Sequence, residues 1–398
     1  MDQQTLPAVP RGFRLAGVHC GVKRNPAKED LTLIVTDAPV TAAGVYTQNR
    51  VFGAPVGWDR ARTPSTAIRA VVINSGVANA CTGERGDRDA AEMARLAGET
   101  AGADAQAVLV MSTGVIGEHL PMDKIAAGIA LAAERLGDDA TALRGAARGM
   151  MTTDSIPKLA GKRLTIDGRE VRVCGLAKGA AMIGPNMATM LSVLLTDAAI
   201  GPATAQALLR DCVDASFNCI SVEGHMSTSD TVLLLASGDS PAETEVPSPL
   251  REALAEAAID LARQIVADGE GTDHLITIDV SGCATRADAH RIAKTVAESA
   301  LVKTAIAGAD PNWGRIVSAA GYAGVDFDPR GIGLTLNAVP LYRDGERVAF
   351  DAAVVSTSLK ENRDTHIELT FTEGDAGVRF WTTDLTAEYV RLNADYHT

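Results

Sequence analysis

The chain has 398 residues, of which 46% are hydrophobic and 22% charged, with a formal net charge of −13. That length fits two or three domains or one large layered unit, and the composition is neither disordered nor fibrous. The negative balance argues against a sequence-independent nucleic-acid binder, which needs a basic face. Aromatics make up only 4% of the chain, so its core is expected to be built from small, closely packed residues.

Cys20, Cys81, Cys174, Cys212, Cys219 and Cys283 show no CxxC spacing and read as reduced thiols. The seven histidines show no metal-ligand spacing, so no metal site is expected. Met1–Arg14 lacks an apolar signal core, and no apolar run approaches the about 18 residues of a membrane span. These features read as a cytoplasmic protein with no membrane and no nucleic-acid partner.

In chain order, Leu31–Thr36 and Gly44–Thr47 are predicted as short strands. Ala67–Asn74 is a stronger strand, and Asp87–Ala101 has helical spacing. Ala107–Met111 reads as a buried strand ending at Ser112-Thr113-Gly114. Pro121 opens a helix through Leu136, and a further helical stretch ends at Met150-Met151-Thr152-Thr153-Asp154. Asp167-Gly168 marks a hairpin between Arg163–Ile166 and Glu170–Cys174.

The stretch Lys178-Gly-Ala-Ala-Met-Ile-Gly-Pro-Asn-Met-Ala-Thr-Met190 follows, leading into the central strand Met190–Leu195. Its glycines and proline exclude an ordinary helix or strand interior. Two readings are open here: a plain connection, or a strained turn presenting Thr189 as a nucleophile at a rigid strand end. Thr189 has no His-Asp relay nearby in sequence. If the Ala188–Thr189 bond is cut, however, the new α-amine of Thr189 can serve as its base.

The second half reads as helix Ala203–Ala215, strand Thr231–Ala236, a surface loop Gly238–Ser248, helix Pro249–Asp268, strand Leu275–Val280 and helix Arg286–Ser299. Two hairpins follow. One joins Val339–Tyr342 to Arg347–Phe350 through Asp344-Gly345. The other joins His366–Phe371 to Val378–Thr382 through Gly374-Asp375. This mixture, with its antiparallel hairpins, predicts an α+β fold rather than a doubly wound one. In Asp268-Gly-Glu-Gly271, Glu270 is either on a solvated turn or aimed into a cleft. Neither a dinucleotide fingerprint nor a phosphate loop occurs.

The Lys178–Met190 stretch resembles the signature of the ornithine acetyltransferases, or arginine-biosynthesis bifunctional glutamate N-acetyltransferases. Asn74-Ser-Gly-Val-Ala-Asn-Ala-Cys-Thr-Gly83, Ser112-Thr-Gly-Val-Ile-Gly117, Met151-Thr-Thr-Asp154, Asp268-Gly-Glu-Gly271, Leu301-Val-Lys-Thr304, Asp310-Pro-Asn-Trp-Gly-Arg315 and Asp384-Leu-Thr386 extend the resemblance in order along nearly the whole chain. It implies an Ntn-like layered α/β sandwich with a smaller C-terminal α/β part from about residue 280. It implies self-cleavage into an α chain, 1–188, and a β chain, 189–398, assembled as a heterotetramer of two of each. The implied reaction is ping-pong transfer of acetyl from N2-acetylornithine to glutamate, with no cofactor, although some members also take acetyl-CoA as donor.

Carried over by position, Thr189 is nucleophile and new N-terminus, and Thr113 and Gly114 form the oxyanion hole. Thr152, Lys178, Thr189, Glu270, Asn393 and Thr398 fall at substrate-binding positions. The chain departs from the family pattern at Glu223-Gly-His-Met-Ser-Thr-Ser-Asp-Thr231 and at Thr272-Asp273-His274, segments expected to bear on substrate preference. A hydrolase of the same architecture, an aminopeptidase or amidase using Thr189, is the alternative. A non-catalytic amino-acid-binding protein is a further one.

Overall fold

The structure, a computed structural model, describes residues 6–184, 190–240 and 245–395. Eight strands form the larger sheet: β1 (Phe13–Val18), β2 (Leu31–Tyr46), β3 (Ser65–Val77), β4 (Val108–Val115), β5 (Lys158–Ile166), β6 (Arg169–Lys178), β7 (Leu191–Ala198) and β8 (Thr231–Ser240). Their order is β4-β3-β2-β8-β7-β6-β5, with β1 also paired to β2. The two short strands expected at 31–36 and 44–47 are one strand, β2. Its first half pairs with β1 and β3, and its second half with β8. Between them the pairing shifts register, and Asp37, Ala38 and Pro39 are exposed. Proline and the break in apolar pattern mark a corner, and a corner reads in sequence as a strand end.

The corner lets the sheet face itself. Ile34, Ile73, Leu109 and Met111 from one half share an apolar cluster with Leu176, Leu191, Val193 and Leu233 from the other. Helices cover both outer faces. Gly83–Ala101 and Met122–Glu134 bury Met93, Ala97, Ile125 and Ile129 against Leu33, Val72 and Val110. Pro202–Ala215 and Ser248–Ala267 bury Leu208, Leu254 and Leu261 against Ala43, Val173 and Leu194. The result is a helix–sheet–sheet–helix sandwich, so the expected α+β layering is present. The strand β7 is buried along its whole length between β6 and β8, as its two-sided apolar pattern predicts.

A second sheet holds β9 (Leu275–Cys283), β10 (Gly333–Leu336), β11 (Val339–Arg343), β12 (Glu346–Arg347), β13 (Asp364–Thr370) and β14 (Ala376–Thr383), in the order β12-β11-β10-β13-β9-β14. Asp167-Gly168 and Asp344-Gly345 make the expected hairpins, with all four residues at positive φ. The hairpin expected through Gly374-Asp375 is not formed. The strand β9 lies between β13, its parallel neighbour, and β14, its antiparallel one. The turn straddles the end of β9: Phe371 N–H donates to the Ser281 carbonyl, and Glu373 and Gly374 N–H donate to that of Gly282. A Gly-Asp turn can reverse the chain around a third strand as readily as between two neighbours.

Candidate active site

Two strand ends from opposite halves of the folded sheet meet at the site. Thr113 and Gly114 lie near the end of β4, which runs parallel to β3 with Gly114 level with Gly76. Gly114 has φ +133, and a Cβ there would overlap the backbone of Gly76 and Val77, so only glycine fits. Lys178 closes β6 and is fully buried, its Nζ donating to Thr113 Oγ1 at 3.3 Å. This contact joins the two halves.

The two described flanks of the Gly/Pro stretch are pinned beside it. Before the stretch, the Ile183 carbonyl accepts from Val222 N–H at 2.8 Å and Gly224 N–H at 3.1 Å. A Cβ on Gly184 would lie 2.6 Å from the Gly224 carbonyl carbon. After it, Met190 N–H donates to Asp230 Oδ1 at 3.2 Å, and the Met190 carbonyl accepts from Thr231 N–H. Ala188, Thr189 and Thr398 lie outside the described residues.

A cavity of about 250 Å³ opens between these elements. Thr113, Gly114, Thr152, Lys178, Glu270 and Asn393 all line it. The structure thus brings together every described residue that the family resemblance assigned to the site. They come from β4, the loop after helix Ala140–Met150, β6, the turn after helix Ser248–Ala267, and the C-terminal helix Ala387–Asp395. Glu270 therefore faces a cleft, not solvent alone. Its position is set by its own N–H, which donates to the Ala180 carbonyl at 3.0 Å. Asn393 is held on its helix by a 3.0 Å bond from Nδ2 to the Tyr389 carbonyl.

Sequence reasoning missed the support beneath these residues. The Asp154 carboxylate is buried, and it accepts from Thr152 N–H at 2.9 Å, Gly179 N–H at 2.6 Å and Lys158 Nζ at 2.6 Å. Lys158, also buried, reaches Asp268 at 2.6 Å on its other side. Asp154 stands in the Met-Thr-Thr-Asp segment, but nothing in the pattern marks Lys158 as interior. A lysine opening a polar strand normally reads as solvated. Ser227, Thr228 and Ser229, which also line the cavity, lie in a segment read only as a departure.

Burial pushes the Lys178 ammonium below the ordinary lysine range, with Asp154 pulling it back. Burial also raises the Asp154 carboxyl, but Lys158, Lys178 and the Gly179 amide outweigh that and hold it below the usual carboxylate range. The cavity thus offers hydroxyls, a buried cation and a carboxylate within a space suited to one amino acid, with apolar walls from Ala78, Ile116 and Met182.

The second departure does not reach the cavity. His274 Nδ1 pairs with Asp384 Oδ2 at 2.7 Å, and Nε2 pairs with the Leu359 carbonyl at 2.9 Å. Its effect is on how β9 is anchored. Asp310-Pro-Asn-Trp-Gly-Arg315 is also remote: Asn312 caps helix Trp313–Gly321, and Trp313 stacks on Tyr342 at 5.5 Å.

The layered sandwich and its polar cavity fit a protein that takes up one small molecule. Residues 14–398 match the ArgJ family. Arginine biosynthesis bifunctional protein ArgJ of Rhodopirellula baltica is 47% identical over 403 residues, covering 100% of this chain and 98% of its own. The protein of that name from Symbiobacterium thermophilum is 46% identical, covering 98% of each chain. The crystal structure of Arginine biosynthesis bifunctional protein argJ from Bacillus halodurans is 38% identical. It aligns over 52% of this chain and 100% of its own with a TM-score of 0.51. The chain belongs to the ArgJ family, and the resemblance read from its motifs is borne out.

Proposed function

We propose that this enzyme of arginine biosynthesis moves the acetyl group of N2-acetylornithine to glutamate through an acetyl ester on Thr189. The observation that carries the reading is the cavity. Six residues scattered from position 113 to 393 converge on one space, whose lining also includes Ala181 and Met182, shortly before the Thr189 stretch, and Ser229, next to the Asp230 that holds Met190 just after it. Thr189 Oγ attacks the acetyl carbonyl, and its α-amine takes the hydroxyl proton. Thr113 and Gly114 stabilise the oxyanion, which carries its charge only in the tetrahedral intermediate. The C–N bond breaks, the recovered proton goes to the leaving amine, and ornithine departs. Glutamate's amine then attacks the ester by the reverse path. Lys178 pairs with the substrate carboxylate and Glu270 with an ammonium, while Thr152, Asn393 and Thr398 complete the pocket.

The free amine arises by self-cleavage. Thr189 Oγ attacks the Ala188 carbonyl, the peptide C–N bond breaks, and water hydrolyses the resulting ester to leave chains 1–188 and 189–398. The Bacillus halodurans chain supports this division, since just over half of the present chain covers it completely. Two copies of each product would assemble as a heterotetramer in the cytoplasm. No helix among the described residues is long and apolar enough to cross a membrane. The chemistry needs no cofactor, because nucleophile, base and oxyanion donors all come from the chain. Acetyl-CoA remains a candidate second donor.

Transfer to glutamate separates this reading from the hydrolase alternative. Purified enzyme given N2-acetylornithine should form N-acetylglutamate when glutamate is present. Release of acetate at the same rate with or without glutamate would establish the hydrolase instead.

A further inference from the structure

The ionic chain beneath the cavity has no part in bond making, yet it touches the segments that carry Thr152, Lys178 and Glu270. Asp154 accepts from Thr152 N–H and Gly179 N–H, the amides of one cavity residue and of the neighbour of another. Lys158 bridges Asp154 to Asp268, each at 2.6 Å. Asp268 accepts from Ser155 N–H at 2.9 Å and also from the Ser155 hydroxyl, and it lies two residues before Glu270. The side chains of Asp154 and Lys158 are 0% exposed, and that of Asp268 is 6% exposed.

We propose that Asp154 is the positioning residue of this site. It fixes the spacing of Thr152, Lys178 and Glu270 and keeps Lys178 charged for the substrate carboxylate. The inference rests on the reading of Lys178 as a substrate ligand. A buried ion pair is weak evidence for stability, because desolvation offsets most of its attraction. Holding a geometry and a charge state gives such a pair a reason to exist.

The groups around Lys178 decide the sign of its response. Asp154, Asp230 and Glu270 favour its charged form, whereas burial, Lys158 and, from the loop after β1, Lys23 disfavour it. Removing the Asp154 charge must therefore let Lys178 lose its proton at lower pH. Removing the Lys158 charge must make it keep the proton to higher pH. A role in packing alone predicts no such opposition.

The test is the pH dependence of kcat/KM for N2-acetylornithine, measured on the processed full-length enzyme. Asp154→Asn should move the alkaline limb down by about one unit or more and raise KM. Lys158→Met should move the limb up. Lys178→Arg should abolish that limb, because arginine stays charged. Limbs that stay in place, or that move the same way in both variants, would overturn the proposal. Should Asp154→Asn fail to fold, a stationary or falling limb in Lys158→Met overturns it alone. Wild-type KM in Lys178→Met would instead remove the reading on which the proposal rests.

Discussion

At the scale of single residues, the site is set by positions where no other side chain fits. Gly114 is the clearest. Alanine there would meet both an unfavourable φ and the backbone of Gly76 and Val77. Gly114→Ala should therefore cost roughly 10²–10³-fold in kcat, the usual cost of a lost oxyanion donor. Steady-state assay checks this, and near-normal turnover would mean that Gly114 is only a packing residue. Glu223, which opens the first departure from the family pattern, has a different signature. Burial pushes its carboxyl up to about 7, against the lowering influence of the Ile183 and Met182 amides and Lys303. The folded state thus holds this proton more tightly than the unfolded chain does. Stability from this group falls as pH rises from about 4.5 to about 7, and the cost is complete above that range. Glu223→Gln should stabilise the protein at pH 8 by roughly 3 kcal/mol and change little at pH 4. Urea unfolding at the two pH values measures this, and equal effects at both would contradict it.

At the scale of elements, the turn after helix Ser248–Ala267 couples the site to the end of the chain. Gly271 has φ +62, and a Cβ there would lie 2.6 Å from the Tyr389 nitrogen. The Thr386 hydroxyl donates to the Gly271 carbonyl and accepts from Tyr389 N–H at 3.1 Å. Gly271→Ala should displace helix Ala387–Asp395, and Asn393 with it, raising KM while leaving cleavage intact. Kinetics combined with denaturing electrophoresis separates the two effects, and loss of cleavage would show that the turn also shapes the scissile bond. Much at this scale was legible in the sequence. Buried runs, caps and paired Asp-Gly turns are local signals, and they placed β6, β7 and β8 and the long helix to within a few residues. The corner in β2 and the strand inserted between β13 and β14 were not legible, because both depend on which strands meet in space. For the same reason Asp154 and Lys158 were invisible as a pair: only the fold turns that lysine inward.

At the scale of the whole molecule, folding one sheet back on itself brings the ends of β4 and β6 together. That is why Thr113 and Lys178, 65 residues apart, touch. The motifs named the candidate residues, and the folded sheet explains how Thr113, Gly114 and Lys178 come to line one cavity. The central claim is that Thr189 carries the acetyl group on a newly made N-terminus. Mass spectrometry of purified enzyme incubated with N2-acetylornithine and no glutamate tests it most directly. Two fragments are expected, with the fragment beginning at Thr189 heavier by one acetyl group on that residue, and the label lost when glutamate is added. Thr189→Ala should give one uncut, unlabelled chain. An intact, unlabelled wild-type chain that still forms N-acetylglutamate would rule out an acetyl-carrying N-terminal Thr189.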